Sequence, residues 1–101
     1  MGMRQIILQS AFYKTIESDQ RISSTHISLY MALLHECSKS HFQGPIVIDR
    51  SEIMKKAKIS SRVTYNKRIK ELHEYKYIEY QPSFKYRGSL VNIRIPVRDV
   101  G

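Results

Sequence analysis

The sequence has no tryptophan, three phenylalanines and a single cysteine. Without Trp and with little Phe, a core has to be assembled from Ile, Leu, Tyr, Met and Val. One cysteine, Cys37, excludes an internal disulfide and fits a reducing compartment. Long apolar runs are missing as well. The N-terminal patch Ile6-Ile7-Leu8 gives way to Gln9-Ser10 and then Lys14, too short for a signal segment and far short of a membrane span. A soluble, cytoplasmic chain without a membrane partner is the expectation. No repeat, low-complexity tract or linker interrupts residues 1–101, so the chain reads as one domain, and 42% hydrophobic with 26% charged residues reads as globular.

Catalytic signatures are also absent. There is no G-x-S-x-G, no glycine-rich phosphate loop and no paired-carboxylate motif, and Cys37 has no evident base with a group to orient it. No enzymatic activity and no cofactor are expected. His35, Cys37 and His41 are close in sequence, but spacings of two and six residues put them on different faces of a helix, and no second ligand pair follows; no metal site is expected. Seven tyrosines raise the question of stacking on single-stranded bases. Tyr13, Tyr30 and Tyr65 fall on apolar stripes, which leaves Tyr86, then Tyr75, Tyr77 and Tyr80, as the exposed ones; packing is the expected use of most.

Acids are the scarcest charged class, nine against seventeen Lys and Arg, for a net charge of +8. The excess is not spread evenly. Residues 1–49 balance Arg4, Lys14, Arg21 and Lys39 against Glu17, Asp19, Glu36 and Asp49, whereas residues 50–101 set thirteen cations against five acids. The whole surplus lies in the second half. A concentrated positive field attracts polyanions, where an ordinary solvated surface mixes both signs.

Hydrophobic spacing gives the elements. A first helix, about Arg4 to Glu17, carries Ile7, Leu8, Ala11, Phe12 and Ile16. A second begins after Ser23-Ser24, which supply N-cap oxygens, and carries Ile27, Tyr30, Met31, Leu34 and Cys37, with Leu29 and Leu33 flanking. His41 to Pro45 ends it. Ile46-Val47-Ile48 is a brief strand, and Asp49-Arg50-Ser51-Glu52 has the form of a capping box for a short third helix ending near Ala57. After a turn at Lys58-Ile59, Ser60 or Ser61 caps a fourth helix to about Tyr75, with Tyr65, Ile69 and Leu72 as its stripe. Tyr77 to Gln81 and Leu90 to Ile95 alternate as strands around a turn-rich segment with Pro82 and Gly88. The expected class is α+β and mostly helical, in the order helix-helix-strand-helix-helix-strand-strand.

A short helix, a tight turn, a longer Ser-capped helix and then a hairpin, as in Ser51 to Ile95, resembles the winged helix-turn-helix DNA-binding family. Ser51 to Ile59 matches the first helix and turn, Ser60 to Leu72 looks like a recognition helix, and Tyr77-Ile78-Glu79-Tyr80 enters a wing that Leu90 to Ile95 leaves. The whole is similar to small bacterial regulators and replication-associated proteins of phages and mobile elements. The resemblance implies residues 1–22 as an N-terminal helix extension, 50–75 as the helix-turn-helix and 77–95 as the wing hairpin. It also implies double-stranded DNA as partner, in transcriptional regulation or a mobile-element accessory role.

The helical wheel agrees independently. Opposite Tyr65, Ile69 and Leu72 lie Ser60, Val63, Lys67, Lys70 and Glu74, with Thr64 and Asn66 on the shoulders. Cations, hydroxyls and an amide bond to phosphates and base edges. Arg62, in the first turn, has a forked guanidinium suited to a guanine or a phosphate. Ser61 belongs with this group, Arg50, Lys55 and Lys58 with the short helix and its turn, where the family contacts the backbone. Lys85, Tyr86 and Arg87 occupy the wing tip. Against this stands a plain solvated face, in which Lys67–Glu71 and Lys70–Glu74 neutralise each other at i, i+4. A winged-helix module that binds protein, or a fragment working in replication initiation, are the alternative readings. Ile6, Ile7, Leu8, Phe12 and Ile16 span more than one stripe, so the first helix is a lid or a homodimer contact.

Overall fold

The computed structural model describes residues 2–82 and 88–94. Four helices and three strands follow one another as α1 (Met3–Ile16), α2 (Ser24–Ser38), β1 (Ile46–Ile48), α3 (Arg50–Ala57), α4 (Arg62–Glu74), β2 (Ile78–Pro82) and β3 (Ser89–Ile93). The class is α+β and mostly helical, in the expected element order. The strands form one antiparallel sheet in the order β1-β3-β2, with Ile46 and Tyr80 both registered on Val91 and Ile78 on Ile93. One sheet face therefore supplies Ile48, Ile78 and Val91 to the core.

α2 is the hub, packing on α1, α3, α4 and β3. That surrounding explains a departure from the expected stripe. Leu29, Leu33 and Ala32 are buried along with Tyr30, Leu34 and Cys37, while Ile27 and Met31 sit at the margin. A helix with neighbours on several sides buries most of its circumference, so a narrow stripe is a poor guide to its deepest residues. α1 packs chiefly on α2, through Leu8 and Phe12. Phe12 stacks on Tyr30 at 3.8 Å between ring centroids and meets Tyr77 edge-on at 5.5 Å. Tyr13 departs from expectation: one residue on from Phe12, it is turned outward and exposed. Tyr77, by contrast, is buried.

Three helices end in the same way, with the chain passing through a left-handed residue that is not glycine. After α3, Lys58 has φ 59°, and Ile59 N–H returns to Met54 O at 3.0 Å. After α4, Lys76 has φ 70°, and Tyr77 N–H returns to Leu72 O at 2.9 Å. Phe42 N–H does likewise to Cys37 O at 3.0 Å. Each closure satisfies helix carbonyls and drives the next apolar side chain (Ile59, Tyr77, Phe42) back against the core. This is why β2 begins at Ile78 rather than at Tyr77, whose amide is committed to α4. The β1–β3 contact also demands a glycine: a Cβ on Gly88 would lie 1.9 Å from the Ile48 carbonyl oxygen.

Candidate nucleic-acid interface

α3 and α4 are placed by local chemistry that the sequence announces. The Asp49 carboxylate accepts the Ser51 amide at 2.8 Å to cap α3, and the Ser61 hydroxyl accepts the Thr64 amide at 3.2 Å to cap α4. Between them Lys58 turns the chain. Ser28 of α2 donates its hydroxyl to the Ala57 carbonyl, pinning the end of α3 to the hub.

α4 presents two unlike sides. Tyr65, Ile69 and Leu72 are buried, Thr64, Asn66, Arg68 and Glu71 are half-buried, and Arg62, Val63, Lys67, Lys70 and Glu74 are exposed. The fate of Glu71 decides the character of the outer side. Its carboxylate faces inward, where it accepts from Arg68 Nη1 at 2.6 Å and from His26 Nε2 at 2.9 Å. The i, i+4 pairing of Lys67 with Glu71 and of Lys70 with Glu74 does not form. Among the described residues Arg62, Lys67, Lys70, Arg50 and Lys58 make no ion pair. Other candidates differ. Lys55 lies 3.5 Å from Glu52 with both side chains well exposed, and Lys56 bonds to Glu36 of α2. Ser60 is exposed beside the cap, while the Ser61 hydroxyl is occupied as an acceptor. Lys85, Tyr86 and Arg87 lie outside the described residues.

A buried polar network behind α4 went unread in the sequence. His26, 1% exposed, is the third residue of α2 and completes its capping box with Ser23. Nδ1 accepts the Ser23 amide at 2.9 Å, which leaves Nε2 as the protonated nitrogen donating to Glu71. Tyr75 packs beside His26, and the Arg21 guanidinium lies 4.0 Å above the Tyr75 ring. Asp19 takes two bonds from the Arg21 guanidinium, both at 2.8 Å, a third from the Arg21 amide at 3.1 Å and one from the Tyr77 hydroxyl at 2.6 Å. The loop before α2 is thus tied to the end of α4. The only sequence signal was Ser23-Ser24-Thr25-His26, a capping box with His where Glu or Gln is usual.

The network predicts a pH dependence. Burial holds the His26 imidazolium form down, below the ordinary value of 6.5, and the Arg68 guanidinium holds Glu71 below 4.5. The unfolded chain therefore binds more protons than the folded one in both windows, so stability rises with pH across them. Denaturant midpoints followed by circular dichroism are expected to be level above about pH 7.5 and to fall as the pH drops through the unfolded histidine range near 6.5. A further fall follows below about 4.5. His26→Gln removes the first fall, and its persistence in that variant would assign it elsewhere.

Among the described residues no three His, Cys, Asp or Glu side chains converge as metal ligands. Burial pushes the Cys37 thiol up to about 11, leaving it a poor nucleophile. No described helix is long and apolar enough to cross a membrane. A shallow cleft on the outer sheet face is lined by Pro45, Tyr80 and Leu90 together with His73, Glu79, Asn92 and Arg94, with Arg94 near Glu79 at 3.7 Å. No protein-family model, curated protein or solved structure matches the chain.

Proposed function

We propose that the chain is a winged helix-turn-helix protein that binds double-stranded DNA in a sequence-specific manner, with α4 as the element that enters the major groove. The observation that carries this reading is the exposed Arg62, Lys67 and Lys70 on α4, which make no ion pair among the described residues, while the Glu71 carboxylate is held inward by Arg68 and His26. Arg50 and Lys58, on α3 and its turn, add exposed cations that make no ion pair among the described residues. They suit phosphate contacts that position the protein, whereas Arg62, Asn66, Thr64 and Ser60 suit base edges and their margins. The antiparallel β2–β3 pair supports the reading as a wing, and Lys85 and Arg87, in the sequence between the two strands and outside the described residues, suit phosphate contacts there. Lys58 adds a second support. It is exposed at the turn between α3 and α4, where its left-handed backbone links the two helices and its ammonium suits a phosphate contact beside α4.

A protein-binding role would call for an apolar outer face on α4, and Val63, 78% exposed, is the single apolar side chain there. The proposed role is cytoplasmic and non-catalytic, in transcriptional regulation or as an accessory factor of a mobile element. Fluorescence anisotropy with random and genomic duplexes, at two or more salt concentrations, tests it. Non-specific dissociation constants of about 10⁻⁴ to 10⁻⁶ M are expected at physiological salt, with tighter binding to a selected site. The absence of any duplex binding below about 100 µM would overturn the reading.

A further inference from the structure

Of the six large hydrophobic side chains that are exposed among the described residues, four belong to α1: Met3, Ile6, Ile7 and Tyr13. At about 100° per residue they share one face with Ser10, Lys14 and Glu17, opposite the buried Leu8 and Phe12. Ser10 lies at the centre of this face, along the helix and around it. Its small side chain leaves a shallow hollow bordered by Ile6 and Tyr13. The two ends of the face are electrically complementary. α1 starts at Gly2 with no side-chain cap and no acid in its first turn, so the positive end of the helix is uncompensated. Glu17, at the far end of the same face, is exposed and makes no ion pair among the described residues.

We propose that this face pairs, antiparallel, with the same face of a second copy about a two-fold axis at Ser10. That arrangement seats Ile6 against the partner's Tyr13 and lays Ile7 along the stem of the partner's Lys14. It also brings each Glu17 to the uncapped first turn of the opposite helix. Parallel pairing stacks Lys14 on Lys14 and sets two positive helix ends side by side. Contact through the other half of the chain opposes copies that each carry the full +8 surplus there. A face that is its own complement is what a closed two-fold dimer requires. The helix is about 21 Å long, from 1.5 Å per residue, so the contact is smaller than the roughly 800 Å² per partner of a standard interface. The dimer is accordingly weak in free solution. The pairing stands apart from the DNA reading; only its corollary, two α4 helices on a palindromic site, rests on that reading.

Disulfide trapping in the full chain tests both partner and register, since the native Cys37 is buried and out of reach. Ser10→Cys is expected to link two copies under mild oxidation. Met3→Cys and Glu17→Cys should not link alone, because in the antiparallel pair each lies about 20 Å from its own mate, yet the two mixed should link. In sedimentation the average mass should rise from one copy toward two between about 5 and 200 µM, and Ile6→Glu should hold it at one copy. Ser10→Cys linking no faster than Lys39→Cys, Met3→Cys linking by itself, or a strict monomer at 200 µM would each overturn the pairing. Ile6 is exposed, so the substitution leaves the core intact; should that variant misfold, the cysteine pattern decides alone. Duplex binding measured by anisotropy is a separate readout. A monomer that still binds DNA loses the pairing and keeps the function, and a dimer that binds none does the reverse.

Discussion

Leu72→Ala is expected to lower the stability of the chain by about 2–5 kcal/mol, the usual cost of truncating a leucine in a core that cannot collapse around the space. Leu72 is 0% exposed and sits on the stripe by which α4 meets α2 and β2. For a chain of this size each kcal/mol shifts the melting temperature by roughly 4–8 °C, so a drop of ten degrees or more is expected. Two neighbours make it informative. Lys70→Ala, on the outer side of the same helix, should stay within about 0.5 kcal/mol of the parent. The Leu72 carbonyl, which accepts the Tyr77 amide, is backbone and survives the substitution. A melt unchanged within a degree or two would mean that α4 is rotated from the orientation described, and with it the outer face on which the functional proposal stands.

The order of elements was legible because each boundary carries its own chemistry. Asp49 and Ser61 are good caps, Ile46-Val47-Ile48 is β-branched between breakers, and Tyr65, Ile69 and Leu72 keep a clean helical period. α4 was legible in detail since one side is core and the other solvent. α2 was less so: a helix enclosed by four neighbours has no single period to read, and Leu29 and Leu33 count for as much as Tyr30 and Leu34. What no pattern in the sequence could supply was the pairing of charges across elements. Glu71 stands at i, i+4 from Lys67, and local spacing favours that pair. The actual partners are Arg68 and His26, the latter 45 residues away, because a buried imidazole with a free N–H needs an acceptor more than an exposed lysine does. That long-range choice takes the Glu71 carboxylate away from the outer face and leaves Glu74 as the exposed acid of α4. Tyr13 failed for a similar reason. Its stripe was read from α1 alone, and among the described residues α1 packs chiefly on α2, through the face that carries Leu8 and Phe12 and away from Tyr13.

Substituting Lys67 and Lys70 together by alanine is expected to weaken binding to every duplex while leaving the fold untouched. If each cation neutralises one phosphate, the slope of log affinity against log salt becomes shallower by about 0.9 per residue, and the affinity at 50 mM salt falls roughly tenfold for each. The double variant then binds about a hundredfold more weakly at low salt, and the deficit shrinks as salt rises. Lys55→Ala serves as the contrast. Its cation is already set against Glu52 at 3.5 Å, so its loss should change affinity much less. Lys85→Ala and Arg87→Ala, at residues outside those described, are expected from their place in the hairpin to lower the slope by about one unit each. Arg62→Ala and Asn66→Ala should behave differently. They stand in the first turns of α4, which the proposed docking sets against base edges, and should cost about 1–3 kcal/mol chiefly on the selected site, so that discrimination falls more than affinity for scrambled duplexes. Anisotropy on specific and scrambled duplexes at two salt concentrations separates the two behaviours. Unchanged binding after substitution of Arg62, Asn66, Lys67 and Lys70 together would move the interface off α4, because no remaining exposed cation on that helix could replace them.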